Sequence, residues 1–93
     1  MKVRFNRAAL ADISEIIEYI ETRNQSAAIN LLSRFEAGAD LIGRVPSVGT
    51  STERANFRWL VIGNYLMVYE LSGDEAIIQY VRHGARRRPW EGE

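Results

Sequence analysis

The chain has 93 residues, of which 46% are hydrophobic and 26% charged, and this length and composition predict one globular domain with one core. Twelve basic and twelve acidic residues give a formal net charge of zero, which excludes a global electrostatic attraction to nucleic acid. The absence of cysteine and the presence of a single histidine exclude disulfides, thiolate metal sites and histidine-rich metal cages, so we expect no metal and no other cofactor.

The N-terminal stretch MKVRFNRAALADI has no long apolar core and no signal-peptide cleavage pattern. No apolar run along the chain approaches the ~20 residues that a helix needs to span a bilayer. The sequence therefore predicts a cytoplasmic protein without membrane contact.

The first elements are a short strand and a helix. Val3 and Phe5 alternate with polar residues, which predicts a strand over residues 2–6, and Asn6 is a good cap for the helix that follows. Apolar residues of this helix recur at spacings of three and four, and they are Leu10, Ile13, Ile16, Ile17 and Ile20. Its acidic residues lie mostly off that stripe, and we expect them on a solvated face: Asp12, Glu15, Glu18 and Glu21.

A second helix begins after Asn24, another good cap, and ends before Gly43 and Pro46. Its apolar residues again recur at helical spacing, and they are Ala28, Leu31, Leu32, Phe35, Ala39, Leu41 and Ile42. Only a few residues join the two helices, so they should form an antiparallel hairpin. Residues 46–55 have the composition of a loop.

The remaining chain predicts three strands, over residues 56–62, 65–71 and 75–82, joined by short glycine-containing turns. No repeat and no second domain are visible. We therefore expect a single domain over residues 1–93 with the order β-α-α-β-β-β. The fold class is α+β, with a helical hairpin packed on a curved, mainly antiparallel sheet.

Both faces of this sheet are predicted to be apolar. In the last strand, strict alternation places Ile77, Gln79 and Val81 on one face and Ala76, Ile78 and Tyr80 on the other. One helical hairpin can cover only one face of a sheet. Some apolar surface should therefore remain exposed as a partner site, although the C-terminal tail could cover part of it.

Several segments also match a known family in their order and spacing. They are A-x-x-D-I-x-x-I-x-x-Y-I over residues 9–20, Ala27-Ala28, P-x-x-G over 46–49, FRWLVIGNYLMVY over 57–69 and VRHGAR over 81–86. Together they resemble the ParE/RelE superfamily of toxins from bacterial type II toxin–antitoxin systems. The resemblance covers nearly the whole chain.

The resemblance implies partners and a role in plasmid stabilisation, but it leaves two activities open. RelE-like members are ribosome-dependent mRNA endonucleases, whereas ParE-like members inhibit DNA gyrase by direct binding. Members of both kinds are neutralised by a small antitoxin, here expected to be ParD-like and to form a hetero-oligomer with the toxin. One fold therefore carries two functions, and particular residues must distinguish them.

Three departures favour the ParE-like branch. RelE-like enzymes resemble one another in a G-x-Y-R pattern, whereas this chain has Leu66 at the position of that arginine. They tend to place lysines before this strand, where this chain has Glu53, Arg54 and Asn56. Many also end on a tyrosine after the last basic motif, whereas here the sequence Arg-Arg-Pro-Trp occupies residues 87–90.

The basic C-terminal tail, residues 84–93, is the predicted target-binding segment. The sequence H-G-A-R over residues 83–86 resembles the ParE-type ending, and by that resemblance the C-terminal stretch contributes to gyrase inhibition. Arginine and tryptophan are over-represented among interface hot spots. The candidate target contacts are His83, Arg86, Arg87, Arg88 and Trp90. A frayed tail whose charges only keep it soluble remains an alternative.

The antitoxin should cover an apolar groove between helices and sheet. Tyr19, Leu31 and Phe35 are candidate contacts, chosen from the sequence pattern. No sequence-specific nucleic-acid binding is expected, because the aromatic residues of the strands are not surrounded by a broad basic groove.

Two alternatives to gyrase inhibition stay open. The first is a metal-independent endonuclease with His83 as base and cations on the phosphate, drawn from Arg54, Arg58 and Arg86. In that case the neighbouring arginines would depress the pKa of His83, whereas a structural His83 would simply hydrogen-bond to backbone at the strand end. The second is an inactive relative that only binds its antitoxin.

Overall fold

The structure, a computed structural model, describes residues 1–84, whose helices and strands follow the predicted order with one addition. These elements are β1 (Lys2–Phe5), α1 (Arg7–Glu21), α2 (Gln25–Arg44), β2 (Thr50–Ser51), β3 (Phe57–Ile62), β4 (Tyr65–Ser72) and β5 (Glu75–His83). The two helices pack on one sheet, so the predicted α+β class and the helical hairpin are confirmed. Within residues 1–84, neither helix combines the length and apolar character that a membrane crossing requires.

Both helices begin at the asparagines that the sequence indicates. The Asn6 side-chain oxygen accepts a hydrogen bond from the Ala9 amide at 2.8 Å, and Asn24 accepts one from the Ala27 amide at 3.0 Å. Each cap satisfies one of the amide groups that the first turn of a helix leaves without a partner. The Asn6 side-chain amide also donates to the Gln79 side chain at 2.8 Å, which ties the start of α1 to β5.

The strands are arranged in the order β1-β5-β4-β3-β2. The β1 strand runs parallel to β5, and the other neighbouring pairs are antiparallel. The pairing of β1 with β5 ends where Phe5 lies opposite Ile78, although β5 continues to His83. The last part of β5 therefore has β4 on one side and no strand of residues 1–84 on the other.

The short β2 strand lies within residues 46–55, which the sequence predicts to be loop. Core side chains hold this segment against the sheet. The buried Tyr69 hydroxyl accepts a hydrogen bond from the Gly49 amide at 2.9 Å and donates one to the Pro46 carbonyl at 2.7 Å. The Arg58 guanidinium donates to the Gly49 carbonyl at 2.7 Å. Two residues of the loop can thus pair with β3. This pairing depends on contacts between distant parts of the chain, so the local composition of the loop does not predict it.

Gly49 is required by this close approach. A side-chain Cβ atom at position 49 would lie 2.7 Å from the Tyr69 hydroxyl and 2.8 Å from the Trp59 carbonyl oxygen. The space between loop and sheet is too narrow for a side chain, which explains why the P-x-x-G segment has glycine at this position.

A β-bulge in β5 corrects the predicted alternation of its side chains. Tyr69 pairs with Ile78 whereas Val68 pairs with Tyr80, so Gln79 is an extra residue. Ala76 and Ile78 face the core before the bulge, and Val81 faces it afterwards. The prediction that Ile77, Gln79 and Val81 share one face is wrong, because one inserted residue reverses the period-two pattern.

The core lies between the helical hairpin and one face of the sheet. Its largest fully buried side chains come from α2, β4 and β5, and they include Phe35, Ile42, Met67, Tyr69 and Ile78. The exposed apolar surface that the sequence predicts is present both on the sheet and on the helical hairpin. Val61 on the sheet is 56% exposed, and Leu10 and Ile29 on the hairpin are 55% and 59% exposed.

Replacing Tyr69 with Phe should destabilise the fold by about 1–3 kcal/mol, because the change leaves the Gly49 amide and the Pro46 carbonyl without their partner. The ring itself is retained, so core packing is preserved. Urea unfolding measures the difference. Tyr19→Phe is the matched control, since Tyr19 is 62% exposed and should change stability little. Equal stability of the two variants would contradict this role for the hydroxyl.

Stability should also decline at alkaline pH. Burial raises the pKa of Tyr69 above its ordinary value of 10.0, against the opposing effects of the Gly49 amide and the Arg58 charge. The pKa of Tyr69 is higher in the folded state than in the unfolded state. The neutral hydroxyl therefore contributes its full stabilisation of the fold below pH 10.0, and this stabilisation is lost as pH rises through the folded-state pKa. Burial also raises the pKa of Tyr80. Urea unfolding on both sides of pH 10.0 should show this decline, and Tyr69→Phe should make it shallower.

Candidate functional site

A groove with a volume of about 740 Å³ separates α1 from the end of the sheet where β4 begins and β5 finishes. The groove combines acidic, basic, aromatic and aliphatic side chains. They are Asp12, Glu15, Ile16 and Tyr19 from α1 and Tyr65, Val81, Arg82 and His83 from the sheet. Because His83 is the last residue of β5, the groove lies where the chain leaves the sheet toward its C-terminal tail.

Asp12 joins the two walls of this groove. One of its carboxylate oxygens, Oδ2, accepts hydrogen bonds from the Val81 amide at 2.9 Å and from the Arg82 guanidinium at 2.7 Å. The Val81 amide lies beyond the last residue that β1 covers, so the carboxylate supplies an acceptor where no neighbouring strand does. The expectation of a solvated acidic face is therefore wrong for Asp12, whose side chain is 25% exposed.

A series of aromatic contacts connects the groove to the core. The buried Phe35 ring meets the Tyr65 ring edge-on, with 5.9 Å between centroids, and Tyr65 meets the His83 ring in the same way at 5.2 Å. The Gly84 amide donates to the Asn64 carbonyl at 2.6 Å. These contacts fix the position and direction of the chain at its last described residues.

The predicted target-binding residues are only partly within the described chain. His83 is half-buried against Tyr65 at the edge of the groove. The other predicted contacts lie outside the described residues, and they are Arg86, Arg87, Arg88 and Trp90.

The alternative catalytic residues within residues 1–84 do not come together. His83 pairs with Tyr65 and Arg58 pairs with Tyr69, so four positions of β4, or ~13 Å along the strand, separate them, and they lie on different strands. The Arg58 guanidinium binds the loop carbonyls of Ser47 and Gly49. The fourth candidate, Arg86, lies outside the described residues.

The side chain of Arg54, another alternative catalytic residue, packs on an aromatic ring. Its guanidinium lies 3.9 Å above the Phe57 ring, at the same end of the sheet as Arg58. Residues 1–84 also contain no group of three or more histidine, cysteine, aspartate or glutamate side chains that could hold a metal ion.

The three candidate antitoxin contacts have different environments. Tyr19 is 62% exposed, and the Arg23 guanidinium lies 3.8 Å above its ring. Leu31 and Phe35 are only 9% and 1% exposed, because they form the face of α2 that packs on the sheet. A partner on the surface of this hairpin would therefore contact neither of them without opening the core.

Exposed residues of the hairpin that the sequence pattern did not single out as contacts include Leu10, Ile29 and Leu32. Leu10 and Leu32 line a shallow groove of about 310 Å³ between the two helices. Helical spacing assigned Leu10 and Leu32 to the core stripe. Their exposure in the packed hairpin shows that the apolar stripe is wider than the surface that the helices bury.

Comparisons with known proteins give one family and a fold. Residues 3–88 match the family described as the ParE toxin of the type II toxin–antitoxin system parDE. None of the curated proteins matches the sequence significantly.

Two solved structures are similar. A chain of the chromosomal ParDE TA system from P. aeruginosa is 17% identical with a TM-score of 0.79, and the match covers 89% of this chain and 95% of that one. The solution structure of a conserved hypothetical protein from Helicobacter pylori is 15% identical with a TM-score of 0.56, covering 91% and 96% of the two chains. At these identities the likeness establishes the fold alone.

Replacing Asp12 with Ala should lower the free energy of unfolding by about 1–3 kcal/mol, because it leaves the Val81 amide without an acceptor. Asp12→Asn keeps an oxygen acceptor and loses only a half-exposed ion pair with Arg82, so its cost should stay below about 1 kcal/mol. Urea unfolding distinguishes the two variants.

Glu15→Ala is the matched control for this prediction, since Glu15 is an exposed carboxylate on the same wall of the groove. It should change stability by less than about 0.5 kcal/mol. A Glu15→Ala loss as large as that of Asp12→Ala would assign the effect to general charge rather than to the bond with Val81.

Proposed function

The chain belongs to the ParE toxin family of type II toxin–antitoxin systems, and from this premise we propose that it inhibits DNA gyrase by direct protein binding. The observation that carries the proposal is the reach of the family match. It continues past the last strand through residue 88 and therefore includes the arginines at positions 86–88. Inhibition would take place in the cytoplasm and would trap cleaved DNA without any chemistry by the toxin itself.

The contacts of the polar side chains support binding over catalysis. Arg58 is bound to loop carbonyls, and Arg82 is paired with Asp12. Leu66, the residue at the arginine position of RelE-like enzymes, is 2% exposed and lies outside the helix–sheet core cluster. A leucine can neither transfer a proton nor stabilise a developing charge on phosphate.

The charge distribution supports a local contact. The whole chain has a formal net charge of zero, yet three consecutive arginines stand at positions 86–88. Arginine forms bidentate bonds with carboxylates and stacks on aromatic rings, which suits a protein interface. Because His83 and Gly84 are held against Tyr65 and Asn64, the arginines begin a few residues from a fixed point.

We also propose that a cognate ParD-like antitoxin neutralises this toxin in a hetero-oligomer. The similar solved structure from P. aeruginosa is described as a ParDE TA system, and the family is defined by such pairs. On this chain, the exposed apolar residues of the hairpin offer a surface that a small partner could bury. Tyr19 is retained among the proposed contacts, whereas the burial of Leu31 and Phe35 argues against direct contact with the antitoxin.

The first test places purified, antitoxin-free protein in a gyrase supercoiling and DNA-cleavage assay, beside a ribosome-programmed mRNA cleavage assay. We expect loss of supercoiling, accumulation of linear DNA and intact mRNA. Cleaved mRNA with unaffected gyrase would establish the endonuclease alternative instead. No response in either assay would support an inactive relative that only binds its antitoxin.

Variants then locate the activity. Deleting residues 87–93 should abolish gyrase inhibition. Substituting either Arg87 or Arg88 by Ala should weaken gyrase binding by about 2 kcal/mol, or roughly 30-fold, as expected for an interface hot spot. Arg58→Ala should leave inhibition by the folded fraction unchanged, because Arg58 holds the loop at the other end of the sheet. Inhibition that survives the deletion but is lost in Arg58→Ala would contradict the proposal.

A further inference from the structure

The groove of about 310 Å³ between the two helices, which we call the hairpin groove, has apolar walls and charged ends. Its lining residues are Leu10, Ile13, Ser14, Ile17, Glu18 and Glu21 from α1 and Leu32 from α2. Leu10 and Leu32 are exposed, and the exposed Ile29, one turn before Leu32 on α2, extends the apolar surface. Apolar side chains that stay exposed side by side indicate a surface that another chain covers.

Part of the lining has the spacing of a hole that receives a side chain from a facing helix. Such holes are formed by four residues of one helix, at positions i, i+3, i+4 and i+7. In α1 these four positions are Ser14, Ile17, Glu18 and Glu21. Leu10, one turn before Ser14, lines the same groove and is a large apolar side chain that fits such a hole. The same helix thus carries both halves of an interlocking contact.

The two ends of this face of α1 carry opposite charges. Arg7 is the first residue of the helix and Glu21 is the last, ~21 Å away. The interval between them is close to four helical turns, so both side chains lie on one face. Neither forms an ion pair with another side chain of residues 1–84. One copy cannot join these charges, whereas a second α1 in the antiparallel direction can.

We infer that the hairpin groove binds a second copy of the chain, with the two α1 helices antiparallel about a two-fold axis at Ser14. Residues equally far from Ser14 in opposite directions then face each other. Arg7 of each copy therefore meets Glu21 of the other, and Leu10 enters the hole around Glu18. Every contact occurs twice, because a two-fold interface uses the same surface of both copies.

The residues at the centre and the pattern of charges favour this arrangement. Ala11 and Ser14 have small side chains, which allow two helices to approach closely. A parallel arrangement would instead place Glu18 and Glu21 opposite the same carboxylates of the second copy, and such like-charge contacts are unfavourable. The charges therefore select both the partner and its direction.

Self-association of this kind would regulate the surface that the antitoxin is proposed to bury. The antitoxin and a second copy would cover exposed apolar residues of the same hairpin, so the two partners would exclude each other. Free toxin would associate, and toxin bound by antitoxin would not. This consequence alone rests on the proposed function.

Light scattering and sedimentation of the purified, antitoxin-free chain test the inference. At low salt the apparent mass should rise from 10.6 kDa toward twice that value between about 10 µM and 1 mM. Added salt should weaken the association, because it screens the exposed charges at the two ends. A constant mass of 10.6 kDa over this range would overturn the inference and would leave the groove to the antitoxin.

Charge reversal tests the direction of the second copy. Arg7→Glu and Glu21→Arg should each weaken self-association roughly 10-fold or more, because each places like charges opposite each other at two symmetric contacts. Both changes suit the helix dipole, so the fold should be retained. An equimolar mixture of the two variants should regain the association of the natural chain, since each contact then joins a glutamate to an arginine. A mixture that associates no better than its components would overturn the inference.

Two further variants assign the association to this face of α1. Leu10→Ser should give a monomer with nearly unchanged stability to urea, because Leu10 is exposed in the single chain. Glu15→Arg, the matched control, changes the charge on the wall of the other groove and should leave the mass unchanged. A dimer that persists in Leu10→Ser, or one that Glu15→Arg abolishes, would overturn the inference. These masses involve neither gyrase nor antitoxin, so failure here is distinguishable from failure of the proposed function.

Discussion

The organisation of this protein depends on one packing constraint, a sheet with apolar side chains on both faces and a single helical hairpin to cover them. The hairpin covers the face of Met67, Tyr69 and Ile78, and this burial forms the main core. The opposite face carries Leu66 and its cross-strand neighbour Val61, which is 56% exposed. The sheet therefore has one face packed on the hairpin and one face that no helix of residues 1–84 covers.

Several polar side chains stabilise this fold, among them Arg58 and Asp12, which the sequence analysis assigned to a possible catalytic site and to a solvated face. Arg58 and Tyr69 hold the loop before β3, and Asp12 supplies an acceptor where β1 ends beside β5. Each of these bonds satisfies a backbone group that would otherwise be left without a partner. Consequently, among the possible nuclease residues within 1–84, His83 lies far from Arg58, and Arg54 and Arg58 already have partners. The proposed activity therefore relies on a binding segment.

Residues with these tasks are hard to recognise from the sequence, because their partners are distant along the chain. Asp12 and Val81 are 69 residues apart, and Tyr69 and Pro46 are 23 apart. The β-bulge at Gln79 likewise becomes visible only in the pairing of β5 with β4. Leu31 and Phe35 show the converse case, in which a periodic pattern locates an apolar face but cannot say whether a partner or the core covers it.

The sequence by itself determined what depends on neighbouring residues. The asparagine caps of both helices, the glycine turn between β3 and β4, the order of the main elements and the resemblance to one toxin superfamily all follow from local spacing. Only the tertiary structure decided which apolar residues are buried, how β2 forms, where the alternation of β5 reverses and which arginines already have partners. These features arise from contacts between distant segments, and hydrogen bonding and burial at such contacts are properties of the packed chain and not of any single stretch of it.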